Sequence, residues 1–293
     1  MCLSLDDAAF SGTILYAGLG AHPQTGAPVH VMGYQNRAKN RAPGPNAMLL
    51  ALPAKGHFGQ EHFLDMRSCR SAMDDMVTAL EPRGRPKNLE TFGTRGPAQV
   101  FNHDIYTVVV ATDAHSIPAA LERVPIAKRP RLKPELFDYL ARCKERQFVL
   151  CCFDNRDAAK AAPLVAYYEP LYPETLVAPA IDGHDGGAPL NGEVMVDHWL
   201  IFGTSDPLAT GARVRYRDTL PASHEGLLPA VVTGRELKMP MYNGDFAVLA
   251  DRVMPMGPDD HRRMNPIDAR CGLMRVTPDE VVDRNYFVRM EMA

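Results

Sequence analysis

Phe148-Val-Leu-Cys-Cys-Phe-Asp-Asn-Arg156 is an unbroken apolar run that stops abruptly at three polar residues, Asp154, Asn155 and Arg156. Such a run, bounded by a polar stop, predicts a strand buried on both faces. A short helical segment is expected next, from Asp157 to Ala162, and then a second strand, Leu164 to Tyr168. Before the stretch closes at Gly203 it passes two His/Asp clusters, Asp182-Gly-His-Asp185 and Asp197-His-Trp199. Polar residues gathered where strands end are how a sheet assembles a site.

Outward from that stretch, β-forming residues dominate the N-terminal side. Gly12 to Ala17, Val29 to Tyr34 and Asn46 to Leu52 read as strands, with Asn36 to Pro45 as a loop. Met66, Cys69, Met73, Met76, Val77 and Leu80 recur at spacings of three and four, so 65–80 reads as a helix capped by Asp65 and ended by Pro82. Its methionines suit helix packing better than a soft-metal site. Residues 83–99 read as a loop, Tyr106 to Ala111 as a buried strand, and short helices are expected from Ser116 and from Pro134. After Gly203 come short β-like runs, among them Ala212 to Tyr216 and Phe246 to Leu249, with Asn243-Gly as a hairpin turn. Thr277-Pro-Asp-Glu280 reads as a capping box and Tyr286 to Met290 as a final strand. Helices clustered inside a strand-rich chain predict an α+β, layered, sheet-rich fold. The expected division is a main domain over 1–204 and a β-rich C-terminal part over 205–293 that completes it or is appended to it.

Composition narrows the function. The 293 residues carry a net charge of −3, with 23% charged and 46% hydrophobic side chains, which is ordinary for a globular protein. Acidic and basic residues are mixed, with no polybasic face, so nucleic acid is not an expected partner. No apolar run approaches the roughly 20 residues of a membrane span, and the start lacks a basic region followed by an apolar stretch. A cytoplasmic location is the expectation. The six cysteines form no Cys-x-x-Cys pair and are expected as reduced thiols, Cys151 and Cys152 pointing to opposite faces of their strand. No Gly-x-Gly-x-x-Gly or Walker-type loop occurs, so nucleotide cofactors are not expected.

Met1-Cys2 runs straight into a segment read as a strand. Removal of Met1, favoured by a small second residue, would leave a cysteine whose own α-amine, with a pKa of about 7.7–8.0, can serve as base for its thiol. This start resembles the N-terminal-nucleophile hydrolases, in particular the cysteine branch that includes choloylglycine and penicillin V acylases. The resemblance implies two sheets packed between helix layers, an αββα sandwich, and amide-bond hydrolysis or acyl transfer on a small-molecule substrate without a cofactor. It makes Cys2 the nucleophile, with Asn36 and Arg37 of Gly33-Tyr-Gln-Asn-Arg37 as companions. Asn155 or backbone amides would stabilise the oxyanion. Arg156 is a candidate for a bidentate contact to a carboxylate, and Asp154 or Asn155 serves equally as a helix cap.

Two rival readings use other residues. His103, Asp182, His184 and His198, with Asp104, Asp185 and Asp197 beside them, have the chemistry to hold a divalent transition metal for a hydrolase or oxygenase. Adjacent His103 and Asp104 on one strand face opposite ways, and no His-Glu-x-x-His spacing occurs. The other alternative is a non-catalytic ligand-binding or assembly protein, a homo-oligomer joined through the β-rich part after Gly203.

Overall fold

The computed structural model describes residues 3–81, 101–103, 105–157, 159–253 and 274–276. The fold is α+β and rich in sheet. One sheet contains β1 (Leu3–Ser4), β4 (Asn46–Leu52), β5 (Phe101–His103), β6 (Tyr106–Ala111) and β7 (Gln147–Phe153), in the order β1-β4-β7-β6-β5, all antiparallel. The larger sheet runs β12-β13-β11-β2-β3-β8. Its strands are β2 (Ala8–Ala21), β3 (Pro28–Asn40), β8 (Ala159–Lys160), β11 (Glu193–Thr204), β12 (Ala212–Arg213) and β13 (Val231–Tyr242), and β9 (Leu164–Tyr168) also pairs with β3. Only β11 and β2 are parallel in it. A small third sheet joins β10 (Thr175–Ala178), β14 (Asp245–Leu249) and β15 (Met274–Val276).

The opening stretch explains the layering. Along β7, Val149, Cys151 and Phe153 face one core, and Phe148, Leu150 and Cys152 face another. An unbroken apolar run is what a strand covered on both sides requires, and each such side chain contributes about 1.5–3 kcal/mol by leaving water. The inner core lies between the two large sheets, where Leu15, Met32 and Tyr34 meet Met48, Leu50, Tyr106 and Val149. Outside the smaller sheet, Leu49, Leu150 and Cys152 pack with Ile117 and Leu121 of α2 (Ile117–Glu122) and with Leu136 and Leu140 of α3 (Pro134–Leu140). Outside the larger sheet, Ile14, Tyr16, Val31 and Ile201 pack with Met73, Met76, Val77 and Leu80 of α1 (Ala72–Leu80). The layers therefore run helix, sheet, sheet, helix. Gly33 lets α1 lie close: a Cβ there would stand 2.9 Å from Met73 Sδ.

Several local expectations give way to tertiary pairing. Residues 36–40 belong to β3, because Arg37 and Lys39 are exposed while Ala38 and Asn40 are buried, and both edges find partners in β2 and β8. The helix expected over Asp157 to Ala162 is absent among its described residues: Ala159–Lys160 form β8, and Ala161 N–H donates to Asn36 O at 3.0 Å. Six residues cannot offset helix nucleation, whereas an open strand edge offers hydrogen bonds at once. The 65–80 helix is broken. Asp65 caps a 3₁₀ turn at Met66–Ser68, and Ser71 then bonds Asp75 and Asp218 before α1 continues. Asn243-Gly244 is not a hairpin, because it joins β13 of the larger sheet to β14 of the third. Of Ala212 to Tyr216 only the first two residues are strand. β12 and β13, both after residue 204, lie within the sheet that β2 and β3 build. The capping box at 277–280, the strand at 286–290 and the loop at 83–99 all lie outside the described residues. Among the described residues no helix is long and apolar enough to cross a membrane.

Candidate active site at the first strand

The chain enters the fold through a buried, doubly bonded strand. Leu3 and Ser4 are each 1% exposed and Leu5 is 0% exposed. On one side Leu3 and Ser4 pair with Leu49 and Met48 of β4. On the other, Leu3 bridges Gly183 in parallel, and Ser4 N–H donates to Gly183 O at 2.8 Å. Ala8 N–H then donates to His184 O at 3.0 Å, and Asn46 ties the intervening turn through Asp6 N–H and the carbonyls of Asp6 and Asp7. Cys2 lies outside the described residues; it is one peptide bond from Leu3.

The 180–187 loop against this strand is fixed from behind. Asp245 is buried, and its Oδ1 accepts from Ala180 N–H at 2.7 Å and Ile181 N–H at 3.0 Å. Burial pushes its carboxyl above the usual carboxylate range, against those hydrogen bonds and the nearby charges of Arg146 and Arg275. Asn243 Oδ1 accepts from Asp182 N–H at 2.8 Å, and its Nδ2 donates back to Asp182 O at 2.8 Å and to Leu190 O at 3.1 Å. Arg275 donates from Nε to Tyr242 O at 2.8 Å and lies 4.1 Å over the Phe246 ring. Burial lowers that guanidinium to about 10. Gly186 has φ of +78°, and a Cβ there would meet Leu5 O at 2.1 Å, so only glycine lets the loop close on the strand.

On this loop Asp182 and His184 form a pair. His184 Nε2 stands 2.9 Å from Asp182 Oδ1 without a hydrogen bond between them, and both atoms are shielded from solvent. The ring also packs edge-on to Phe10 at 5.1 Å. The side chains as a whole keep 26% and 16% exposure. Their closeness within the His/Asp cluster Asp182-Gly-His-Asp185 was the available sequence signal.

The other candidate residues lie elsewhere. Asn36 is buried between the sheets, where its Oδ1 accepts from Tyr106 Oη at 2.8 Å and its Nδ2 donates to Tyr34 Oη at 3.1 Å. Arg37 is exposed on β3 opposite Lys160. Asn155 Nδ2 donates to Ala38 O at 2.6 Å and Asp157 O at 2.8 Å, so it braces a turn instead of capping a helix. Arg156 donates to the carbonyls of Ala42 and Pro43 and pairs with Asp154 at 3.1 Å. Asp154 in turn accepts from Asn40 Nδ2 at 2.8 Å. The trio thus ties the end of β7 to the β3–β4 connection. His103 Nε2 lies 2.6 Å from Pro163 O. His198 is buried against Phe246, and burial holds its imidazole down to about 4. Asp104 lies outside the described residues. Among the described residues no three or more histidine, cysteine, aspartate or glutamate side chains come together as a metal-binding group.

Comparison with known proteins adds little to this picture. No family model matches the chain, and no curated protein matches it. Among solved structures, the crystal structure of baculovirus P35 is similar, with a TM-score of 0.41 and 11% identity over 85% of this chain and 92% of that one.

Proposed function

We propose that the protein is an amide-bond hydrolase or acyl transferase acting on a small-molecule substrate, with the Cys2 thiol as nucleophile after removal of Met1. The observation that carries this reading is the burial of Leu3 to Leu5, with Leu3 and Ser4 bonded on both edges at the junction of the smaller sheet and the 180–187 loop. A segment held so firmly supplies a fixed base for a nucleophile at its preceding residue, whereas an unremarkable terminus has no need of such anchoring. The helix–sheet–sheet–helix layering is in keeping with the same reading. In this chemistry the α-amine takes the thiol proton, the sulfur attacks the amide carbonyl, and the proton passes to the leaving nitrogen. Intact mass of the purified protein tests the first requirement, since Met1 must be absent. A Cys2→Ala variant that keeps hydrolytic activity against a panel of N-acyl amides would end the proposal.

A further inference from the structure

β13 carries an open edge. Its whole length pairs with β11, but on the opposite edge β12 covers only Val231 and Val232. At the far end Tyr242 O accepts from Arg275 Nε at 2.8 Å. Among the described residues no strand or bridge pairs with that edge from Gly234 to Pro240. The direction of the backbone groups there follows from the two ends. Asn243 N–H donates to Gly192 O at 2.8 Å, on the β11 side, whereas the Tyr242 carbonyl is taken by Arg275 on the other. Backbone groups alternate along an antiparallel strand, so Gly234, Glu236, Lys238 and Pro240 turn theirs to the open edge. Proline belongs at such a position, because the N–H it lacks would have faced solvent. The side chains of Glu236, Lys238 and Pro240 are exposed, and Glu236 Oε1 pairs with Lys238 Nζ at 2.9 Å. A row of unpaired N–H and C=O groups is a template for another strand.

We infer that two copies of this chain dimerise by antiparallel pairing of their β13 edges about a two-fold axis at Leu237, joining the two larger sheets into one. The occupant is a second copy because the edge is complementary to itself. With the axis at Leu237, Glu236 lies opposite the partner's Lys238, and Lys238 opposite the partner's Glu236. Each of these pairs exchanges both backbone hydrogen bonds, and opposite charges meet across the strands. Gly234 N–H meets the carbonyl of the partner's Pro240, and the donor that proline lacks costs one bond at each end. The open stretch is symmetric about Leu237, since Val232 before it and Tyr242 after it are already engaged. Moving the axis to Glu236 or to Lys238 sets like charge against like charge at the centre. An axis between residues sets outward-turned backbone groups against inward-turned ones and loses the bonds. Met195, 59% exposed and opposite Pro240 on β11, borders the joint with apolar surface. An interface this short lies at the small end of the range, so monomer and dimer exchange with concentration. Nothing in the pairing depends on the hydrolase reading.

The test is sedimentation velocity of the full-length protein over about a hundredfold range of concentration, in wild type and in surface variants of β13. Wild type should pass from monomer to dimer as concentration rises. Lys238→Glu sets glutamate against glutamate at both symmetric positions and should raise the dissociation constant at least about tenfold. Combining Glu236→Lys with Lys238→Glu restores opposite charges within and between chains, and should return the constant to within about threefold of wild type. Lys238→Pro removes an outward N–H, as Pro240 already does, and should leave a folded monomer. Both positions are exposed, so far-UV circular dichroism should match wild type throughout. A wild type that stays monomeric at the highest concentration overturns the inference, whether or not any variant folds. So does a dimer that Lys238→Glu or Lys238→Pro leaves intact, and so does a weakened dimer that the charge exchange fails to restore.

Discussion

Replacing His30 by glutamine should remove a large part of the protein's sensitivity to mild acid. His30 sits on β3, 3% exposed, with Nε2 3.1 Å from Pro173 O and its ring edge-on to Tyr168 at 6.0 Å. Nδ1 is buried with no hydrogen-bonding partner. Burial pulls the imidazole from 6.5 down to about 4, outweighing the opposite pull of the Pro173 carbonyl. Below pH 6.5 the unfolded chain therefore takes up a proton that the folded protein refuses until about pH 4. Stability is full above the unfolded value, falls between 6.5 and about 4, and levels off below that. At pH 5 the loss from this one group is RT ln[(1 + 10^1.5)/(1 + 10^−1)], about 2 kcal/mol. His198, also held near 4 by burial, contributes a similar amount. Together they remove about 4 kcal/mol of a total that for most domains is only about 5–15 kcal/mol. Urea denaturation at pH 7.5 and pH 5.0 measures the difference directly. The glutamine variant keeps an N–H donor for Pro173 O and cannot titrate, so its loss between the two pH values should be smaller than wild type by about 2 kcal/mol. An undiminished loss in the variant would refute the assignment of that proton uptake to His30.

Gly186→Ala should lower stability by more than about 1 kcal/mol, because a Cβ at φ +78° collides with Leu5 O and backbone must move; an unfolding midpoint equal to wild type in thermal melts counts against the described loop closure. Cys69, Cys143, Cys151 and Cys152 are buried, and burial pushes the Cys69 and Cys152 thiols up to about 11 and 12. In native protein near pH 8 none of the four should react with a disulfide reagent, and all four should react once urea unfolds the chain.

Some of the architecture is written in short windows of sequence. β4, β6 and β9 run over the residues whose largely apolar character predicted them, and β7 extends its predicted run by only one residue, because a strand covered on both faces needs apolar side chains along most of its length. The opposite orientation of Cys151 and Cys152 follows from the strand period alone, as does the buried stripe of α1 from its spacing of three and four. Where a segment's structure depends on a distant partner, local pattern fails. Residues 36–40 look like loop until β2 and β8 flank them, and Asn243-Gly244 looks like a hairpin until its two strands enter different sheets.

The candidate site lies wholly on that second side. The sequence by itself determined the layered α+β character, the central strands and the presence of a cysteine beside the initiating methionine. Only tertiary structure decided that Asp182 and His184 lie against the first strand, about 180 positions away in the chain, while Asn36 goes to the core and Asn155 and Arg156 to a backbone brace. The physical reason is that hydrogen bonds and packing across sheets are formed between residues far apart in sequence. No local periodicity carries that information.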